Sequence, residues 1–512
     1  MTLALLPRPR WGEGREGTLV LTSPLRMSCD DEFLEVFEQF RADMLTSVGW
    51  DVQRVDDDVS DVRLRVDTTR AKEEYTLHVT DQVDISASSA AGFSYALCTL
   101  RQLGPPALWS REGASLEVWT IEGVAIVDGP AFDWRGAHLD VSRHFFDVDA
   151  VRRLIDLLAA HRLNRLHLHL NDDQGWRIEV PAWPRLTTVG ATRAGSPIGH
   201  EDDDRRDEVP HGGFYTAEDV AVIVAHAHRR HIQVIPEIDL PGHAQAVLAA
   251  YPQFANTDER LDVWTHWGIS QHILNVEPTT LDFAEDVVRY VASLFAGSPV
   301  HIGGDECPTD QWENSVDASA VMREHGFERA SQLQGLYTER LAAALVSDGH
   351  EVLAWDEVLD AEVPPGTTIC AWRGVEKGIE AAERGFDVVM APMQYLYLDW
   401  LSSESPDEPV AVAPLPYVTT WEKVYGFEVI PDALDPLRSH HVRGAQVQIW
   451  TEYIDSLVRL DYMAFPRLSA FAEVVWGTST DLAEFRPRLV RHLGRLDAMG
   501  VSYRPVDPVG AP

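Results

Sequence analysis

Apolar and polar positions along the chain follow two successive regimes. Up to about residue 130, short alternating runs predict half-buried strands at Val62 to Val66 and Tyr75 to Val79, with Asp81 to Ser86 continuing the pattern. Two helical patterns flank them. One runs through Phe33, Val36, Phe37 and Phe40; the other spans Ser88 to Leu103 and stops at Gly104-Pro105-Pro106. From Phe132 the pattern changes to strand, loop, helix, repeated. The strands it predicts are Trp134 to His144, Arg165 to Leu170, Ile232 to Asp239, Val300 to Glu306, Glu351 to Glu357, Thr367 to Gly374, Asp387 to Asp399 and Gly444 to Glu452. Val151, Leu154, Ile155, Leu158 and Ala159 share one helical face, and further helices are predicted at about 216–230, 282–296, 331–347, 376–385 and 461–475. A long polar loop that includes Glu201 to Asp204 precedes the second of these helices. Eight strands separated mostly by helices is the order of an α/β fold of the (β/α)8 TIM barrel type. The expected domains are a smaller N-terminal α+β domain over residues 1–130 and a (β/α)8 barrel with C-terminal helices over 131–512.

Length agrees with this division, since 512 residues exceed one ordinary domain. Charge narrows the partners. With 43 basic against 81 acidic residues the formal charge is −38, which disfavours nucleic acid and anionic membrane surfaces. The first residues carry only Leu3 to Leu6 as an apolar run before Pro7 to Arg10, which does not match a signal peptide, and no window approaches a membrane span. Cys29, Cys98, Cys307 and Cys370 have no metal-ligand spacing and read as reduced thiols, so a cytoplasmic location is expected.

In a (β/α)8 barrel the chemistry collects where the strands end. Here the first predicted strand runs out at Asp140 to Phe146, the second at Asn171 to Trp176, the third at Glu237 to His243, and the fourth at Gly303-Gly304-Asp305-Glu306. The fifth ends at Trp355-Asp356-Glu357, the sixth at Trp372, the seventh at Tyr397 to Asp399, and the eighth at Trp450 to Glu452. Carboxylates, Arg143, His243 and four aromatics therefore meet at one mouth. That mixture suits a neutral polyhydroxylated ring, with flat surfaces for its apolar faces and charged groups for its hydroxyls. Singly, Trp355, Trp372 or Trp450 would more often be core packing; three at matching strand ends lower that reading. Asp173, Asp356 and Glu357 read as structural acids, and His226, His228 and His231 as solvated or compensating a helix dipole.

Asp305 and Glu306 are neighbours after a glycine pair that supplies the backbone freedom to aim both at one place. The rival chemistry is metal-dependent, as in amidohydrolase barrels, because His167-Leu168-His169 puts two imidazoles on one strand face. In those barrels the pair lies on the first strand, whereas here it lies on the second, and the pair reads better as barrel interior.

Six segments, Arg143-His-Phe-Phe146, Leu168 to Trp176, Pro236 to His243, His301 to Glu306, Trp450-Thr-Glu452 and Phe465-Pro-Arg-Leu468, resemble the β-N-acetylhexosaminidases of glycoside hydrolase family 20. Asn171 departs from the serine or threonine of many members. The resemblance implies exo-acting, retaining removal of terminal β-linked GlcNAc or GalNAc, in which the substrate's own acetamide attacks through an oxazolinium-like intermediate. It implies Glu306 as acid/base, Asp305 as the partner of the acetamide N–H, and Tyr397 as donor to the acetamide oxygen. Asp172 and His243 would support Glu306. Trp355, Trp372 and Trp450 would wall the pocket, Arg143, Asp399 and Glu452 would hold ring hydroxyls, and Trp421 would be an outer aromatic. Neither cofactor nor metal is implied. The partner expected is a β-linked N-acetylhexosaminide oligosaccharide or glycoconjugate, and a catalytically silent sugar-binding barrel is the alternative.

Overall fold

The structure is a computed structural model describing residues 3–200, 205–412, 417–477 and 481–506; the predicted loop at Glu201 to Asp204 lies outside the described residues. The eight barrel strands are Trp134–Asp140, Arg165–His169, Gln233–Glu237, Val300–His301, Val352–Trp355, Thr368–Ala371, Val388–Met390 and Val442–Val447. They close in chain order, all parallel. Nearly every residue of these strands is buried, as expected of parallel strands covered by helices outside and side chains within.

The strands are shorter than the alternation predicts. The fourth leaves the ladder after His301 rather than at Glu306. The seventh ends at Met390 and turns into a short helix, Met393–Leu396, before Tyr397. Past each ladder the pairing thins to single hydrogen bonds, such as Trp355 N–H to the Gly303 carbonyl, and to one isolated bridge, Tyr397 with Gln448, as the strands splay toward the mouth. The helix expected over 461–475 is two helices, Leu457–Ala464 and Arg467–Trp476, because Pro466 lacks the N–H a continuous helix would need.

The N-terminal domain is a seven-stranded sheet with helices Leu34–Val48 and Ala90–Gln102. Four of its strands escape the alternation pattern. The longest, Trp11–Leu21, is largely exposed and glycine-rich, so it carries no apolar period. Buried arginines bolt this domain to the barrel. Arg162 reaches Asp128 at 3.2 Å and Thr99 at 2.6 Å, and Arg135 reaches Glu73 at 3.0 Å and Tyr95 at 2.9 Å. Two of the histidines read as solvated are partnered: His226 meets Asp156 at 2.9 Å and His231 meets Ser94 at 2.7 Å. Among the described residues no helix is long and apolar enough to cross a membrane.

Candidate active site

Strand register builds the floor of the mouth. Asp140 lies beside His169, His169 beside Glu237, and Glu237 beside His301, so one layer of the barrel interior is polar and fully buried. Above it the fourth strand turns through Gly303 and Gly304, at φ 65° and 101°, conformations that favour glycine. A Cβ on Gly303 would stand 1.9 Å from Asp239 Oδ1, so no side chain fits there. The Gly304 N–H donates to that same oxygen at 2.8 Å. His243 and Glu306 are themselves left-handed, at φ 48° and 45°, strain of a kind that persists where surrounding structure imposes it, commonly at functional sites.

The turn brings two acids to one imidazole. His243 Nε2 stands 3.7 Å from Glu306 Oε2 and 3.9 Å from Asp305 Oδ2, while its Nδ1 lies 3.2 Å from Asp172 Oδ1. Burial alone would lower the His243 pKa, but Asp172 outweighs it and holds the ring protonated. Burial would likewise raise Asp172; Arg143 and His243 overcome this and keep it well below the usual carboxylate range. Asp305 is raised instead, by burial and by the neighbouring Asp239. Burial pushes Asp239 up to about 7.

Aromatic rings close the other side. Trp355 and Trp450 lie 6.1 Å apart between centroids, Trp450 and Tyr397 6.5 Å, and Tyr397 stacks on Trp372 at 6.2 Å. Trp372 is held from behind by Glu357, which accepts from its indole N–H at 3.0 Å. Burial and the nearby Asp305 raise Glu357 to about 9.

Arg143 lies over Trp450 at 5.2 Å and contacts Asp172 at 2.8 Å, Asp140 at 3.3 Å and Glu452 at 3.9 Å. Two buried acceptors at the rim, Asp399 Oδ1 and Glu452 Oε2, have no hydrogen-bond donor among the described residues. Burying a carboxylate oxygen unpaired is costly, so such atoms mark where an incoming donor is wanted. Burial and Glu452 raise Asp399, and burial raises Glu452 to about 6.

Eleven of the twelve residues singled out in the sequence therefore gather at the mouth. Trp421 does not, which corrects its expected place as an outer aromatic. It begins the short helix Trp421–Tyr425 and packs its ring 5.9 Å from Phe485 of the C-terminal helix Leu482–Ala498. The rings that continue outward from Tyr397 are Trp400, at 6.2 Å, and beyond it the exposed Tyr417, at 5.3 Å. Asp173 and Asp356 are structural, accepting backbone N–H groups of Gln245 and Trp372 respectively at 2.9 and 2.8 Å. Glu357 is not merely so, since it touches a pocket wall. Asp239 and Glu237 went unread, although alternate acids on a predicted strand share a face and could have been placed there. His169 spends its two ring nitrogens on Glu237 and Asp172, at 2.6 and 2.9 Å, rather than joining His167 as a ligand pair.

The description "Glycosyl hydrolase family 20, catalytic domain" fits residues 132–479, and "Glycosyl hydrolase family 20, domain 2" fits residues 2–129. The chain belongs to glycosyl hydrolase family 20. It is 39% identical to a Porphyromonas gingivalis β-hexosaminidase over 84% of its own length and 54% of that protein, so it spans about half of that relative. It is 34% identical to a Vibrio furnissii β-hexosaminidase, covering 92% of the chain and 76% of the relative. Among solved structures, a Vibrio harveyi exo-β-N-acetylglucosaminidase of the family, in complex with N-acetylglucosamine, superposes with a TM-score of 0.86 at 30% identity, covering 99% of this chain and 79% of that one. A Streptomyces plicatus N-acetyl-β-hexosaminidase bound to Thio-NAglucal gives 0.83 at 30% identity, over 98% and 96% of the two chains. The family 20 barrel thus replaces the amidohydrolase alternative.

Proposed function

We propose that this family 20 chain is an exo-acting, retaining β-N-acetylhexosaminidase that removes terminal β-linked GlcNAc or GalNAc with the substrate's acetamide as nucleophile. The observation that carries the reading is the shared origin of Asp305 and Glu306. Retaining glycosidases with an enzymic nucleophile hold two carboxyls about 5–5.5 Å apart across the scissile bond, and family 20 is a recognised exception to that rule. Two consecutive residues from one turn, both reached by the same His243 Nε2, attend one side of a bond rather than straddle it.

In this reading Glu306 protonates the leaving oxygen and then deprotonates the incoming water. Asp305 accepts from the acetamide N–H and faces the positive charge that develops as the carbonyl oxygen attacks the anomeric carbon. Asp305 Oδ1, buried and with no hydrogen-bond partner among the described residues, suits that task as an open acceptor. Tyr397 donates to the acetamide oxygen, and Trp355, Trp372 and Trp450 hold the group bent over the ring, lowering the entropic cost of attack. Arg143, Asp399 and Glu452 take the hydroxyls of the terminal sugar; the partnerless oxygens of the last two support a donor-rich ligand there.

The direct test is release of nitrophenol from nitrophenyl N-acetyl-β-glucosaminide and galactosaminide. Turnover of either is the expected result. Binding of N-acetylglucosamine with no release from either would replace the hydrolase by a silent sugar-binding barrel.

A further inference from the structure

Below the mouth lies a stack of charged side chains that the proposed chemistry does not use. Its centre is Glu237, fully buried at the end of the third barrel strand. Oε2 of Glu237 is 2.6 Å from His169 Nδ1, and the far nitrogen of that ring, Nε2, is 2.9 Å from Asp172 Oδ2. A ring with a carboxylate on each nitrogen must carry both protons to donate to both, so His169 is an imidazolium. Asp172 then spends Oδ2 on His169 and on Arg143, 2.8 Å away, and Oδ1 on His243 at 3.2 Å and on the Asp173 N–H at 2.6 Å. From floor to mouth, Glu237, His169, Asp172 and His243 alternate in sign, and His243 faces Glu306 at 3.7 Å. The other oxygen of Glu237, Oε1, accepts from the Trp355 indole N–H at 2.7 Å and lies 3.1 Å from His301 Nδ1.

We propose that Glu237 and His169 are positioning residues. Glu237 fixes His169 as a buried cation that keeps Asp172 ionised and aimed at His243 and Arg143, and it ties this apparatus to Trp355 in the acetamide pocket. The inference rests on the hydrolase reading above and names two residues that touch neither sugar nor scissile bond. The electrostatics agree with the geometry. Burial would lower His169, but Glu237 and Asp172 raise it to about 10. Glu237 itself is held well below its ordinary value, because His169, His301 and His167 outweigh the penalty of burial.

Asp239 also brings a carboxylate oxygen within 4.8 Å of a His169 nitrogen, and Asp140 lies beside His169 in register with its oxygens taken by the Ser142 N–H, Arg143 and Thr451. The first strand presents His138, 5.9 Å away between centroids, which burial and His167 keep neutral. The eighth strand's end presents the uncharged Trp450 at 5.0 Å. Beyond Glu237 stand His167 at 3.2 Å from it and His301, and beyond Asp172 stand Arg143 and His243. Burial keeps His301 near 4, hence neutral. Among the described residues, the carboxylates hydrogen-bonded to the His169 ring are thus Glu237 and Asp172.

The test follows from the sign of that balance. In Glu237→Gln the amide still accepts from Trp355 but no longer offsets the burial of a cation, so the His169 pKa falls from about 10 into the assay range. The working form is the protonated one. The variant's kcat/KM is therefore expected to be nearest the native value at about pH 5 and to fall as pH rises toward 8, by up to about tenfold per unit for one proton. In the native enzyme the His169 ring adds no limb before about pH 10, so the variant's limb is read as a departure from the native profile. Adding His169→Gln to the variant should abolish the new limb, leaving low activity without the added dependence on pH. Should Glu237→Gln fail to fold, judged by its circular dichroism and melting, the single variant His169→Gln is read instead: it should lower kcat and remove the native limb near pH 10. A native enzyme that turns over no N-acetylhexosaminide overturns the hydrolase reading and this inference with it. An active native enzyme whose Glu237→Gln or His169→Gln variant keeps the native profile, merely scaled, overturns this inference alone.

Discussion

Glu306→Gln is expected to lose about 10²–10⁴-fold in rate on chitobiose-like substrates, whose leaving group is a sugar, and far less on dinitrophenyl glycosides. A sugar alkoxide needs a proton as it departs; dinitrophenolate does not. Glutamine preserves the volume of the side chain and its approach to His243, so the geometry of the turn survives while the proton is lost. Steady-state rates on the two substrates, compared at one pH, give the ratio that matters. A loss of equal size on both would remove Glu306 from proton transfer to the leaving group.

Asp305→Asn should give the opposite signature, a loss of about 10²–10³-fold that no improvement of the leaving group recovers. Its carboxylate faces charge that develops on the acetamide, and that charge is the same whatever departs. Asparagine also removes a carboxyl that stands beside Asp239, which accepts the Gly304 N–H. The two neighbouring residues are thereby separable by a single substrate series. Small and equal effects from both variants would refute the division of labour between them.

Much of the fold was legible because a parallel barrel writes itself in period. Eight apolar runs with helical patterns between them require little beyond counting, and the barrel's own rule then points to the strand ends. Residues that reach the mouth from those ends, such as Asp399 after Tyr397 or Glu452 after Trp450, could be named because they stand out as polar where an apolar run stops. Trp421 could not be placed this way. It lies in a short helix of the long connection between the seventh and eighth strands, and nothing in a lone tryptophan says whether its ring faces the mouth or, as here, Phe485. The Glu237–His169 stack was illegible for another reason. Each residue reads singly as a polar interruption in a strand, and only the register that sets His169 beside both Asp140 and Glu237 shows them as one layer. Backbone strain at His243 and Glu306 has no sequence signal, since neither is a glycine.

The chemistry turns on whether the nucleophile belongs to the substrate. A series of nitrophenyl β-glucosaminides in which the N-acetyl group carries zero, one, two or three fluorines changes the nucleophilicity of the carbonyl oxygen with little change in shape. The expected result is a steep fall in kcat/KM along the series, about a hundredfold or more from acetyl to trifluoroacetyl, with the deacetylated glucosaminide not turned over. A flat series, or hydrolysis of the free glucosaminide as fast as that of the acetylated compound, would contradict acetamide participation and return the search for a nucleophile to the carboxylates at the barrel mouth.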